Sequence, residues 1–276
     1  MNNMKLLFTA FAAILLAGHA RGQYYYTDIV VLKETNRQYQ AIKTARINTI
    51  IAKSFEGDGQ PTQDFLLQQD ISANQITTSS NSVATGSSVS VNYYTGNRLM
   101  KTVDADSNTN STVTYVYDAA GNIQSITTAI NDTLMGSSST EVHLWYYNGS
   151  DPTRMLRIKD KTDTTVIDFV KDEQGNIAEE HLRKKGRSME NYFYYYNAAH
   201  QLTDIVRFNL RARKMLPDFL FEYDDKGLVI QLTQVQQNTG SYIVWHYTYN
   251  ANALKQKEAA YDKQKRLIGS VEYSFR

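Results

Sequence analysis

Residues 115–126 read YVYDAAGNIQSI, and the same outline returns as YYYNAAHQLTDI at 194–205 and FEYDDKGLVIQL at 221–232. Each copy carries aromatic or branched residues at every second position up to a Tyr. An Asp or Asn follows, then Gly or His three residues later, then a second alternating run. Alternation with period two places one set of side chains on one face of a strand. Asp or Asn opens a turn by accepting hydrogen bonds from its own backbone, and Gly supplies positive φ without strain. The stretch therefore reads as strand, tight turn, strand.

The turn unit recurs as YDAAGNI at Tyr117, KDEQGNI at Lys171, YNAAHQL at Tyr196, YDDKGLV at Tyr223 and YDKQKRL at Tyr261. Looser copies are FEGDGQP at Phe55, YTGNRL at Tyr94, YNGSDPTRML at Tyr147 and YNANALK at Tyr249. From Tyr94 to Tyr249 the steps are 23, 30, 24, 25, 27 and 26 residues, and the last unit follows only 12 later. A period near 25 accommodates two strands and two connections. Gly121, Gly175 and Gly227 are assigned as structural turn residues. Where His200, Ala253 or Lys265 stands instead, the turn must change type or carry strain. The strands before the turns keep aromatic residues in register with the motif Tyr, among them Tyr194, Phe221 and Trp245, so neighbouring strands stack aromatic on aromatic across one sheet. The expectation is an all-β fold: an antiparallel meander of about eight hairpin repeats forming a curved or rolled sheet, with one short N-terminal helix.

These units resemble the YD repeat of the Rhs and teneurin class of large cell-surface and secreted proteins. The resemblance covers residues 94–273 and implies Tyr-Asp-x-x-Gly-x-Leu hairpins in a long rolled sheet. In that class the repeats form a shell, and activity usually lives in a separate C-terminal domain. This chain is too short to enclose a cargo and stops at a repeat strand, so neither toxin delivery nor any functional residue is carried over.

Lys5, the apolar run from Leu6 to Ala17 and small residues after it have the layout of a secretory leader, with cleavage after Ala20 or Gly22. The run is shorter than the roughly 20 residues of a spanning helix. The domain reading is a signal peptide at 1–22 and one β domain at 23–276, with 23–70 as an N-terminal strand-helix-strand segment and 71–276 as repeat hairpins. In the first segment YYYTDIVVL reads as a strand, TNRQYQAIKTA as a helix capped by Thr35 or Asn36, and INTIIAKSF as a strand. The Ser/Thr-rich tract at 72–94 reads as exposed edge strands.

There is no Cys, hence no disulfide and no thiolate chemistry. Losing Lys5 and Arg21 with the leader leaves 27 basic against 28 acidic residues, and nothing in that balance attracts nucleic acid. Charges on both faces of the strands after the turns argue against a lipid-facing barrel, so no membrane span is expected after leader removal. The histidines lack metal-ligand spacing. The loop DADSNTNSTVTY has Thr109 and Tyr115 where a calcium loop needs Gly and Glu. No catalytic residue, metal or cofactor is assigned. NYFYYYN at 191–197 and LWYYN at 144–148 put aromatic residues on both strand faces, which makes Phe193, Tyr195 and Tyr146 the candidate ligand-binding residues.

The reading of function is an exported, non-enzymatic binding or scaffold module, secreted, periplasmic or at the bacterial cell surface, with a glycan or a surface protein as partner. The alternative is an envelope hydrolase with an unrecognised carboxylate site.

Overall fold

The computed structural model describes residues 24–83, 85–236 and 239–276. The leader lies outside the described residues. Among the described residues one helix, α1 (Thr27–Thr44), precedes eighteen strands. These are β1 (Thr49–Glu56), β2 (Leu66–Ile71), β3 (Gln75–Ser82), β4 (Gly86–Thr95), β5 (Arg98–Asp106), β6 (Thr109–Tyr117), β7 (Ile123–Asp132), β8 (Ser137–Asn148) and β9 (Asp151–Lys159). The second half comprises β10 (Asp163–Lys171), β11 (Ile177–Lys184), β12 (Arg187–Tyr196), β13 (Leu202–Asn209), β14 (Lys214–Tyr223), β15 (Val229–Gln236), β16 (Ser241–Tyr249), β17 (Lys255–Tyr261) and β18 (Leu267–Phe275).

Every strand pairs antiparallel with its neighbours in sequence, and β18 returns to β1 with Phe275 opposite Ile50 and Val271 opposite Ser54. The all-β meander with a short N-terminal helix is thus present, but the rolled sheet of about eight repeats is corrected to a closed barrel of 18 strands. Closure follows from the register, since no strand is left to serve as an edge. The Ser/Thr-rich tract corrects in the same way: β3 is paired on both sides, with β2 and β4.

Most of the repeated turns gather at one end of the barrel. The turn at 262–266 lies at the other end, which explains the 12-residue step before it. Six turns share one geometry. In the first, Asp118 Oδ1 accepts from Asn122 N at 2.8 Å while Gly121 N donates to Asp118 O at 3.0 Å. Asp172, Asn197, Asp224, Asn250 and Asp262 repeat the pattern. Gly121, Gly175 and Gly227 have φ of +91°, +87° and +78°, and His200, Ala253 and Lys265 adopt +58°, +57° and +61° at the same place. Those three copies keep the turn type and accept the strain. A register shift falls at the motif aromatic in the repeated strands, as between Val116 and Tyr117 or Glu222 and Tyr223, which bends each strand into its turn.

The motif-Tyr face points inward. Tyr192, Tyr194, Ile167, Trp145 and Trp245 are buried. The stretch YYYTDIVVL is not a strand: α1 begins within it, and its β-branched run misleads a reading by propensity. Leu32, Tyr39 and Ile42 are the buried face of the helix. Neither Thr35 nor Asn36 caps it, since its first residue is Thr27, whose Oγ1 donates to Tyr24 O at 2.7 Å.

Candidate functional site

Helix α1 lies inside the ring. Tyr24 meets Tyr192 and Phe219 edge-on, Tyr26 meets Tyr194 and Phe169, Tyr39 stacks on Tyr94 at 3.6 Å, and Lys43 Nζ reaches Ala73 O at 3.2 Å. Asn36 Oδ1 accepts from Leu99 N at 2.8 Å. These partners lie on β10, β12 and β14 to one side and on β4, β5 and the β2–β3 turn to the other, mostly near the repeated-turn end. The helix, about 27 Å long, therefore crosses that end of the barrel.

Buried ionisable groups hold its start. Glu180 is 0% exposed, and its carboxylate accepts from Tyr25 N at 2.9 Å, Tyr26 N at 3.0 Å and the Tyr194 hydroxyl at 2.6 Å. A carboxylate aimed at free N–H groups at a helix start satisfies donors the helix itself cannot. Burial raises its pKa to about 7, against those hydrogen bonds. His143 bridges Asp28 of the helix at 2.5 Å and Glu141 at 3.0 Å. Burial opposes charge on that ring, yet the two carboxylates lift its pKa to about 9. Burial likewise opposes Glu141, but His143 and Arg157 bring its pKa down to about 2.

Two further inward clusters follow the same rule. Glu258, 1% exposed, is bound by Lys255 at 3.0 Å and the Tyr273 hydroxyl at 2.5 Å. Arg207 pairs with Glu190 at 2.9 Å and Asp218 at 2.8 Å. These carboxylates are held by cations and hydroxyls, the arrangement that makes buried charge tolerable. Sequence reasoning explained the turn Asp residues by turn chemistry and assigned no role to Glu180 or Glu258. The signal was parity: Glu180 stands opposite Phe169 on one side and Tyr192 on the other, within the aromatic face.

The candidate ligand-binding residues lie on the outer wall. Tyr195 is 51% exposed, Phe193 is half-buried, and both line a groove of about 580 Å³ between the turns at 172–176 and 197–201. Tyr146, 47% exposed, is on β8, four strands from β12 and about 19 Å away around the wall. The structure joins the first two and leaves the third apart. His200 Nδ1 lies 3.0 Å from Asn176 Oδ1, tying the two turns together. Among the described residues no group of three His, Cys, Asp or Glu side chains could hold a metal ion. The segment resembling a calcium loop forms a hairpin turn in which Asp106 accepts from Asn108 N and Thr109 N.

No family model matches this chain, and neither does any curated protein. A porin-like protein from Bacteroides uniformis is similar at 10% identity over 83% of this chain and 96% of that one, with a TM-score of 0.40. A porin-like protein from Bacteroides vulgatus is similar at 10% identity over 83% and 98%, with a TM-score of 0.26. The Photorhabdus luminescens Tc holotoxin pore is similar at 11% identity over 84% of this chain and 17% of that one, with a TM-score of 0.31. Assignment to the YD-repeat, or RHS-repeat, class is corrected here. No family model supports it, and the hairpins close on themselves in an 18-strand barrel through the β1–β18 pairing. The turn signature comes from local Asx-turn chemistry, which unrelated hairpins share. No helix among the described residues is long and apolar enough to cross a membrane, a statement that does not bear on strands.

Proposed function

We propose that this chain is an exported, non-enzymatic binding barrel of the bacterial envelope or extracellular space, freed of a leader at 1–22 and folded as one domain over 23–276. The observation that carries this reading is the pairing of a helix packed across one end of the barrel's interior with an open aromatic groove on the outer wall. A closed barrel with a packed interior is a frame for presenting a surface, and Phe193 and Tyr195 give it one. The outer wall also carries charge in the middle of its strands. Arg154 and Arg183 flank Asp168, and Lys257 pairs with Glu272. That pattern supports a wall facing water, since charge at mid-membrane depth on a barrel's lipid face costs about 2–4 kcal/mol for Arg or Lys. Against the hydrolase alternative stands the use of the inward carboxylates as anchors.

The test is retention of envelope and polysaccharide fractions by the immobilised mature chain. Wild-type protein should retain material that the Phe193→Ala/Tyr195→Ala double variant releases, with both melting alike. Alanine at Glu141 or Glu258 should lower stability without abolishing retention. Loss of a turnover at a single carboxylate, or no retention from any fraction, would overturn the reading.

A further inference from the structure

We infer that the groove beside Phe193 and Tyr195 binds a neutral or amino-sugar oligosaccharide, a deepening that rests on the binding role proposed above. Three observations point to this chemistry. The two rings project from alternate positions of one strand, about 7 Å apart, and form a step of aromatic surface at the groove wall. Ala178 on β11, a small residue at the strand's register shift, also lines the groove. Aromatic rings beside open space suit the C–H faces of pyranose rings, which are apolar while their edges carry hydroxyls.

The rim supplies partners for those hydroxyls. His200 donates through Nδ1 to Asn176 Oδ1, so its Nε2 is left for a ligand hydroxyl. Gln174 and Glu179 add an amide and a carboxylate to the lining. Side chains that both donate and accept are what a polyhydroxyl ligand requires, and Asn176 is already oriented by its bond to Asp172 at 3.0 Å.

Charge and size then narrow the ligand. The charged groups of the lining are Asp172 and Glu179, with neither Lys nor Arg among them. An acidic rim repels uronic acids, sulfated sugars and phosphates, and accepts neutral hydroxyls or ammonium groups. The volume of about 580 Å³ falls within the roughly 300–1,000 Å³ of small-ligand sites. A protein partner would need a contact of about 800 Å² on each side, which favours a short stretch of sugar chain.

Titration calorimetry of the mature chain with cellohexaose, maltohexaose, chitosan hexamer and oligogalacturonate hexamer tests this directly. At least one of the first three should bind, and the anionic hexamer should bind at least tenfold more weakly. Tyr195→Ala should weaken sugar binding about tenfold, whereas Tyr146→Ala, an equally exposed ring outside the groove, should leave it unchanged. Equal binding of the anionic hexamer, or equal loss with Tyr146→Ala, would overturn the assignment. If no hexaose binds while the envelope fraction is still retained through Phe193 and Tyr195, the sugar assignment falls and the binding role stands. If neither is retained, both fall.

Discussion

The motif Tyr does more than fill the lumen. Its hydroxyl donates to a carbonyl at the start of the neighbouring strand: Tyr117 to Leu99 O at 2.7 Å, Tyr196 to Ile177 O at 2.8 Å, Tyr223 to Leu202 O at 2.6 Å and Tyr249 to Val229 O at 2.7 Å. Each bond ties one hairpin to the hairpin before it at the turn end, where the register shift interrupts the ladder. Tyr223→Phe should therefore lower stability by about 1 kcal/mol in denaturant melts, the usual net worth of one such bond, and an unchanged midpoint would show the bond to be dispensable. The repeated spacing made the aromatic face legible in the sequence. The hydroxyl's task was not, because it depends on which carbonyl the neighbouring strand brings near. At the turns, Gly175→Val should lower stability by about 1 kcal/mol or more, since a β-branched residue is strained at that φ. Ala253→Gly should act oppositely, raising it by roughly 0.5–1 kcal/mol, because Ala253 holds φ +57° with a Cβ. Equal melting of all three proteins would refute the strain argument.

Among the elements, α1 is where propensity and structure part company. Val30 and Val31 invite a strand, yet the buried positions Leu32, Tyr39 and Ile42 follow a helical face that meets the barrel wall. Nothing local in the sequence shows that the wall surrounds the helix, since its partners are drawn from strands spread over most of the chain. The anchor makes a pH prediction. Glu180 is raised from 4.5 to about 7 and His143 from 6.5 to about 9, so both bind protons more tightly folded than unfolded. Their contribution to stability is present below the unfolded values and is lost as pH rises, between 4.5 and 7 for Glu180 and between 6.5 and 9 for His143. Glu141, lowered from 4.5 to about 2, acts in the opposite sense and withdraws its contribution as pH falls through that interval. Melting temperature should thus decline from pH 5 to pH 9. Glu180→Gln should flatten the lower part of that decline and His143→Gln the upper part. A profile that rises with pH over this range would contradict the anchoring network.

For the whole molecule, the antiparallel hairpin meander could be read from the turn spacing, but neither the 18 strands nor their closure could: a meander of hairpins has the same local pattern whether its ends meet or not. The junction is made by β1 and β18, whose residues Ile51 and Ser274 share a hydrogen bond 223 positions apart. Ending the chain after Tyr261 should leave β1 and β17 as open edges and produce aggregates on size exclusion that the full chain does not form. A truncated chain that elutes and melts as the full chain does would show the junction to be ornamental. The same junction sets an order of events. Because β18 seals the ring that surrounds α1, the wall around the helix stays incomplete until the C-terminal strand docks on β1. Assembly should therefore be slow, governed by long-range contacts, with a half-closed trough as the intermediate. In that trough the aromatic face lies open to water until the final strand arrives, and this is the stage at which the protein is most in need of a chaperone.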